Sequence, residues 1–252
     1  MNPPPLSGPW VSCARPDPAA PLRLWCLPYA GGGTSAWNAW MAPLAGAAEI
    51  AGLRPPGRES RLREPAARRC EAIVADLLPR LEPHLGRRYA LAGHSLGALL
   101  AFELARAIRA RGWPAPAALV VTGARGPDQP RREPDLHGLP DAEFIAELDR
   151  RYQGIPPAVR NEPELLALLL PVMRADLEVF ETHAYAPEPP LGLPILALGG
   201  RADPHVAPAE LEAWRAQTTA AFAAELFPGG HFFVQSELAA VTARVRRFLA
   251  EA

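Results

Sequence analysis

A serine flanked by glycines, Gly93-His94-Ser95-Leu96-Gly97, stands where an apolar segment gives way to a helical pattern. A G-x-S-x-G segment in that position forms a sharp strand-to-helix turn that raises the serine hydroxyl above a sheet. Glycines are needed two residues before and after the serine because side chains there would collide. The following helix would offer free N–H groups to a developing oxyanion. This pattern predicts that Ser95 is a nucleophile.

A serine hydroxyl needs a base to remove its proton and an acid to orient that base. Of the six histidines, His231 follows the last predicted strand on a Gly-Gly loop, and we predict that it is the base. The alternative base is His205. Asp203 follows the preceding strand and is the predicted acid, whereas Asp128, which also follows a strand, is the alternative.

An oxyanion hole needs a second N–H, which in such folds comes from the loop after an early strand. The segment "LPYAGGG" (Leu27 to Gly33) fits, because Ala30 can present an amide and the three glycines let the backbone approach closely. It lacks the G-x-G-x-x-G and G-K-[ST] patterns of phosphate-binding loops. The alternative interpretation is a flexible turn.

Short apolar segments alternate with helical patterns along the chain. The predicted strands are Leu22–Leu27, Glu49–Leu53, Tyr89–Gly93, Ala118–Thr122, Leu193–Leu198 and Phe222–Phe227. Helical spacing relates Trp37, Trp40, Met41 and Leu44, then Ile73, Leu77, Leu78 and Leu81, then Leu99, Phe102, Leu104 and Ile108. The alternation predicts an α/β fold, a mostly parallel, doubly wound sheet with helices on both faces.

One connection is longer than a crossover requires. From Thr122 to Leu193 there are about 70 residues, where roughly 12 to 30 suffice, so we expect an inserted helical lid at approximately residues 125–190. Its segments "LPDAEFIAELDRRY" and "NEPELLALLLPVMRADLEVFETHAY" have helical patterns. They are either two more packing helices or a mobile lid over an apolar chamber. Asp176, in the middle of the second segment, is expected to be solvated.

The composition bounds the possible classes of protein. The chain has 252 residues, 49% of them hydrophobic and 21% charged, with a net charge of -1, as expected for one soluble globular domain. Residues 1–20 form a proline-rich arm. Nothing indicates a surface for nucleic acid or lipid, and the longest apolar segment, Leu165 to Met173, is too short to span a membrane. Three cysteines without a C-x-x-C pair, and no signal peptide, favour a cytoplasmic protein with Cys26 in the core.

Several segments, taken in order over nearly the full length, resemble type II thioesterases of the α/β-hydrolase superfamily. These segments are "LPYAGGG", "PPGRESRLREP", "GHSLGALLAFELAR", "LPDAEFIAELDRRYQGIP", "ELLALLLPVMRADLEVFETHAY", "LGGRADPHV" and "GGHFFV". Members of this family are free-standing editing enzymes of modular polyketide synthases and nonribosomal peptide synthetases. The resemblance implies Ser95 as nucleophile, Asp203 as acid, His231 as base, and the amides of Ala30 and Leu96 as oxyanion donors.

The resemblance also implies an activity, the hydrolysis of acyl thioesters carried on the phosphopantetheine arm of an acyl or peptidyl carrier protein. No metal or diffusible cofactor is expected, and we expect a monomer. Alternatives are a carboxylesterase or lipase acting on small oxygen esters and a non-catalytic binding protein of the same fold. Four arginines, Arg54, Arg58, Arg61 and Arg63, could meet an acidic carrier protein, although a solvated loop is the favoured interpretation.

Overall fold

Seven strands form one sheet in the computed structural model, which describes residues 6, 8–152 and 161–252. Residues 1–5 and 7 of the predicted arm, and residues 153–160 of the predicted lid, lie outside the described residues. The strands are β1 (Val11–Ser12), β2 (Arg23–Leu27), β3 (Glu49–Leu53), β4 (Tyr89–His94), β5 (Leu119–Thr122), β6 (Ile195–Gly200) and β7 (Phe222–Phe227).

Helices connect the strands. They are α1 (Asn38–Met41), α2 (Cys70–Leu81), α3 (Leu96–Ala110), α4 (Asp141–Tyr152), α5 (Pro163–Thr182), α6 (Pro208–Glu212), α7 (Phe233–Ser236) and α8 (Leu238–Glu251). Short 3₁₀ helices cover Thr34–Trp37, Glu59–Arg61, Glu82–His84 and Ala213–Gln217. Within the described ranges, every helix falls short of the length or the apolarity that crossing a membrane demands.

The strand order is β1-β3-β2-β4-β5-β6-β7, and all neighbours are parallel except β1 and β3. In the centre, Leu24 of β2 lies between Ile50 of β3 and Ala90 of β4. Parallel strands require crossover connections, which place helices over the faces of the sheet. The predicted mostly parallel α/β sheet is therefore confirmed.

Strand residues alternate between two cores because successive side chains of a strand point to opposite faces. On β2, Trp25 and Leu27 join the core under α2 and α3, whereas Leu24 and Cys26 join the core under α1 and α8. All four are fully buried, so the prediction that Cys26 lies in the core is confirmed. Burial on both faces explains why these strands are continuous apolar runs in the sequence.

Strand β6 begins and ends two residues later than its predicted range. Pro194 has no N–H, and the first residue to donate to the neighbouring strand is Ile195, to Ala221 O at 3.0 Å. At the other end the strand runs through Gly199 and Gly200, which pair with Leu226 and Phe227. These glycines look like a turn in the sequence but lie in the sheet.

Part of the expected N-terminal arm belongs to the sheet. Strand β1 pairs with β3, with Val11 opposite Leu53, and the amide of Arg54 donates to Trp10 O at 2.8 Å. Trp10 and Val11 are buried. Val11 and Ser12 of the expected arm thus form an edge strand, and the buried side chains of Trp10 and Val11 cover this edge of the sheet.

The insertion between β5 and β6 carries α4 and α5, which pack on each other through a core of their own. That core contains Leu136, Phe144, Leu148, Met173 and Leu177. Since it joins two helices through apolar contacts, it holds α4 and α5 together as one unit. The predicted lid function of this insertion stays a prediction.

Candidate active site

Ser95 occupies a strained turn between β4 and α3. Its backbone has φ 55° and ψ -119°, a conformation that costs a non-glycine residue about 1–3 kcal/mol. A Cβ at Gly93 would lie 2.0 Å from Gly97 O, and a Cβ at Gly97 would lie 2.2 Å from Leu27 O. Both positions must be glycine, because the turn packs backbone against backbone. The amide of Ser95 donates to Thr122 O of β5 at 2.8 Å, which fixes the turn above the sheet.

His231 and Asp203 are hydrogen-bonded to each other. Nδ1 of His231 donates to Oδ2 of Asp203 at 2.8 Å, and both side chains are buried. A carboxylate only accepts, so Nδ1 of the neutral ring carries the proton and Nε2 keeps its lone pair. The other carboxylate oxygen of Asp203 accepts from the amide of His205 at 2.9 Å. The imidazole is therefore oriented as a general base requires.

The loops that carry these two residues are joined through their backbones. The amide of Arg201 donates to Phe227 O at 2.8 Å, and the amide of Ala202 donates to Gly229 O at 2.9 Å. A Cβ at Gly200 would lie 2.3 Å from Gly230 O, so glycine is needed there. The backbone ladder of β6 and β7 thus continues past the strand ends and sets the spacing between Asp203 and His231.

The two alternative residues lie in different environments. Nε2 of His205 donates to Arg151 O at 2.8 Å, and its ring stacks on Tyr152 with centroids 4.4 Å apart. Asp128 is exposed, and its carboxylate accepts from the side chain of Gln129 at 3.3 Å. The carboxylate that accepts from Nδ1 of His231 is that of Asp203, which follows β6.

Ser95, His231, Ala30 and Leu96 border one cavity of about 130 Å³. The rest of its wall is mostly apolar and includes Leu148, Leu169, Met173, Leu177, Phe180 and Phe232. All of these except Phe232 lie on α4 or α5, so the insertion forms one side of the chamber. A smaller cleft of about 70 Å³ meets Ser95 from another side, and its lining includes Arg125, Gln129, Arg131 and His183 beside apolar residues such as Leu99 and Trp214.

Within the part of the chain that the structure describes, two backbone N–H groups at the cavity, those of Ala30 and Leu96, have no helix or strand partner. Leu96 is the first residue of α3, so its N–H has no partner inside the helix. In the glycine loop, Gly32 N donates to Tyr29 O at 2.9 Å. A trans peptide directs its N–H opposite to its C=O, so this bond turns the N–H of Ala30 away from the loop interior. The predicted oxyanion donors thus lie at the cavity wall with Ser95.

Asp176 is fully buried, and the expectation of a solvated residue is wrong. Its carboxylate accepts two bonds from the guanidinium of Arg58, at 2.7 and 2.8 Å, and one from Gly31 N at 2.7 Å. Arg58 also donates to Gly32 O at 3.0 Å. The pairing joins residues 118 positions apart, which is why the helical pattern around Asp176 does not reveal it.

The arginines near Arg58 are also buried, so neither the solvated loop nor the carrier-binding interpretation holds for them. Arg54 donates to Glu59 at 2.5 Å, and Arg61 makes two bonds to Asp76 at 2.6 and 2.9 Å. Although burial raises the pKa of Glu59, hydrogen bonds from Thr34 and Arg54 bring it below its ordinary value. Only Arg63 of the four is exposed.

His94 supports the turn from below. Thr122 Oγ1 donates to Gly93 O at 3.1 Å, so this hydroxyl accepts from His94 Nδ1 at 3.0 Å. Complete burial, and then the nearby charge of His231, lower the pKa of His94 well below its ordinary value. The ring is therefore neutral near pH 7 and does not compete with His231 for a proton.

One group among the described residues has the composition of a metal site. Ligand atoms of Asp135, His137 and Glu181 lie within 4.8 Å of one another. The Glu181 carboxylate already accepts from Leu136 N at 2.8 Å, His137 N at 3.0 Å and His137 Nδ1 at 2.6 Å. These bonds attach the start of the insertion to α5. They also give both oxygens of the Glu181 carboxylate hydrogen-bond donors, so its burial needs no metal ion.

A protein-family model and several known proteins match most of this chain. The model of the thioesterase domain family matches residues 22–249. Gramicidin S biosynthesis protein GrsT of Aneurinibacillus migulanus is 40% identical, over 89% of this chain and 88% of the relative. Thioesterase PikA5 of Streptomyces venezuelae is 36% identical, over 92% of this chain and 82% of the relative.

Solved structures give the same result. The type II thioesterase BorB from the borrelidin biosynthetic cluster superposes with a TM-score of 0.84 and 35% identity, covering 96% of both chains. ClbQ from the colibactin NRPS/PKS pathway gives a TM-score of 0.87 and 34% identity, covering 92% of this chain and 98% of that one. Together with the sheet order, these similarities confirm the α/β-hydrolase fold.

Proposed function

Because the chain belongs to the thioesterase domain family, we propose that it hydrolyses acyl thioesters carried on the phosphopantetheine arm of acyl or peptidyl carrier proteins. Its relatives act in gramicidin S and other NRPS/PKS pathways, which supports a carrier protein as partner. One observation carries the catalytic proposal. Ser95, in its strained turn, shares a cavity with His231, whose ring is oriented by Asp203.

In the first half of the reaction, Nε2 of His231 takes the proton of Ser95 Oγ as the oxygen bonds to the thioester carbonyl carbon. The carbonyl oxygen gains negative charge and accepts from the amides of Ala30 and Leu96. Collapse of this intermediate breaks the C–S bond. The His231 proton passes to the leaving sulfur, so the carrier departs as its thiol.

In the second half, water attacks the acyl group on Ser95, and His231 takes a proton from that water. The same amides hold the oxyanion, and the C–O bond to Ser95 breaks. The proton returns from His231 to Ser95 Oγ, and the free acid leaves. Asp203 accepts from Nδ1 throughout and stabilises the imidazolium that forms in each half.

The two spaces at Ser95 suit the two parts of such a substrate. The apolar cavity fits an acyl chain, whereas the amide groups of a pantetheine arm suit the cleft lined by Gln129, Arg125 and Arg131. Phe180 borders both spaces. We assign the acyl group to the first and the arm to the second.

The proposed reaction needs no metal and no diffusible cofactor, since Ser95 supplies the nucleophile, His231 accepts the proton and two amides supply the oxyanion donors. We further propose that the protein is a monomer that works in the cytoplasm, where it clears stalled or wrongly primed acyl groups. Three unpaired cysteines support a reducing compartment. Dialysis against a chelator should leave turnover unchanged, and light scattering should give the mass of one chain.

The deciding experiment compares a panel of acyl-loaded carrier proteins with p-nitrophenyl esters of the same acyl groups. The proposal expects a higher kcat/KM for the carrier thioesters. Higher turnover of the oxygen esters would instead support a carboxylesterase or lipase. A fluorophosphonate that fails to label Ser95, with no turnover of either substrate, would support a non-catalytic binding protein.

A further inference from the structure

The glycine loop after β2 has little conformational preference of its own. Three consecutive glycines, Gly31 to Gly33, follow Ala30, and Gly31 has φ +74°. Glycine loses more conformational freedom on folding than other residues, so a loop of this kind needs outside contacts to hold one conformation. An oxyanion donor must be aimed before the reaction, because reorientation during the reaction costs free energy.

The buried pair of Asp176 and Arg58 supplies such contacts on both sides of the loop. Asp176, on α5, accepts from Gly31 N at 2.7 Å, and Arg58, after β3, donates to Gly32 O at 3.0 Å. The bond from Gly32 N to Tyr29 O lies between these two anchors and sets the plane of the Tyr29–Ala30 peptide. The anchors therefore act on the N–H of Ala30 through two peptide units.

The energetics of a buried ion pair point to the same role. Removing two charges from water costs several kcal/mol each, and apolar residues of similar volume often stabilise a protein as well or better. Asp176 and Arg58 are almost completely shielded from solvent, with side-chain exposures of 1% and 6%. Stability alone does not require this pair, whereas two backbone anchors for a glycine loop do require a buried acceptor and a buried donor.

We propose that Asp176 and Arg58 are positioning residues, which hold the glycine loop so that the amide of Ala30 is aimed at the oxyanion. This inference rests on the proposed function, since it assumes an oxyanion at the cavity. It also gives the insertion a part in catalysis, because α5 supplies one of the two anchors.

The first test replaces Asp176→Asn and measures kcat and KM separately on an acyl carrier thioester. Loss of one well-aimed oxyanion donor lowers kcat by about 10²–10³-fold, so we expect a fall of about 10-fold or more with KM nearly unchanged. The affinity of a trifluoromethyl ketone, which forms a tetrahedral oxyanion on a nucleophilic serine, should fall by a similar factor. Unchanged kcat or unchanged ketone affinity would overturn the inference.

A matched control separates positioning from loss of stability. Asp76→Asn breaks another bidentate pair, which Asp76 forms with the buried Arg61. Among the described residues, neither member of this pair has a hydrogen bond to the glycine loop. This variant should lose stability but keep kcat and ketone affinity. An equal fall of kcat in Asp76→Asn and Asp176→Asn would contradict the inference.

A second variant covers the case in which Asp176→Asn does not fold. The double replacement Arg58→Met with Asp176→Leu removes both charges and fills the same space, so it avoids the unpaired buried charge that Asp176→Asn leaves on Arg58. It lacks both anchors, and we expect kcat to be lowered at least as much as in Asp176→Asn. Wild-type kcat in this folded variant would overturn the inference. Labelling of its Ser95 by fluorophosphonate would show that the proposed function still stands. Absence of labelling in the unmodified enzyme would overturn the proposed function itself.

Discussion

At the scale of single residues, the position of Ser95 depends on backbone contacts that exclude side chains. The sequence reveals this because the turn needs glycine at two fixed positions, Gly93 and Gly97, where a Cβ would overlap neighbouring backbone. It also predicts Asp203 and His231 from their places after β6 and β7. It does not reveal Asp176 or Arg58, because neither residue is part of a local pattern and their contact spans 118 positions.

Two variants test the strained serine. Ser95→Ala should lower thioester turnover by roughly 10³ to 10⁶-fold, because the hydroxyl is the group that attacks. Ser95→Gly should be equally inactive yet more stable by about 1 kcal/mol, since glycine adopts φ 55° without strain. Turnover and urea unfolding measure the two effects. Wild-type activity in Ser95→Ala would refute the assignment of the nucleophile.

The acid is tested by a pair of amide replacements. Asp203→Asn should lower kcat by roughly 10³–10⁴-fold, because an amide no longer holds the proton of His231 on Nδ1. Asp128→Asn should leave kcat within about twofold, since this exposed carboxylate meets Gln129. Kinetics of both variants on one carrier substrate check the prediction. The reverse order of effects would place the acid one strand earlier.

At the scale of elements, the alternation of apolar segments predicts most strands well and the edge strand β1 poorly. Ranges for β3 and β7 agree with the structure, although β3 is buried along its whole length and in β7 only Phe227 is buried. Strand β1 has two residues, too few for any periodicity, and lies in a segment whose prolines suggest an arm. The helices of the insertion are evident from their spacing. The way these helices pack around a cavity is not evident from their spacing, since it depends on contacts between α4 and α5.

The wall of the cavity predicts acyl preference. An apolar cavity of about 150 Å³ holds a benzene-sized group, so a cavity of about 130 Å³ favours acyl groups of about four to six carbons. Leu169→Ala should raise the kcat/KM of a longer chain relative to butyryl by several-fold, because each added methylene that becomes buried gains about 0.8 kcal/mol.

Leu168→Ala is the matched control. Leu168 immediately precedes Leu169 on α5, but its side chain is 51% exposed and does not border the cavity. Carrier proteins loaded with butyryl, hexanoyl and decanoyl groups provide the measurement. The same ratio of kcat/KM values in Leu169→Ala and in wild type would show that this wall does not set chain length.

At the scale of the whole molecule, one sheet separates two apolar cores, and the candidate site lies where its central strands end. Composition predicts a globular protein of this kind. It does not predict which polar groups become buried between the cores and the site. His94 is such a group, and its exposed fraction is 2%.

Burial of His94 makes global stability depend on pH. Folded His94 stays neutral below pH 6.5 because its pKa is lowered, whereas the unfolded chain takes up a proton there, so stability falls as the pH falls. The contribution is about 1.4 kcal/mol per pH unit below the unfolded pKa. In His94→Gln the free energy of unfolding should therefore change less steeply between pH 6.5 and 5, as measured by urea titration. Equal slopes for the two proteins would contradict the lowered pKa.

The backbone ladder beyond β6 and β7 has a consequence for engineering. Because Gly200 rests against Gly230 with no room for a side chain, the loops bearing Asp203 and His231 have to be exchanged between homologues as one cassette. A chimaera that imports only one of them, or a mutant library that varies position 200, would break the shared register. Recombination designs should therefore keep residues 195–205 and 222–233 from the same parent.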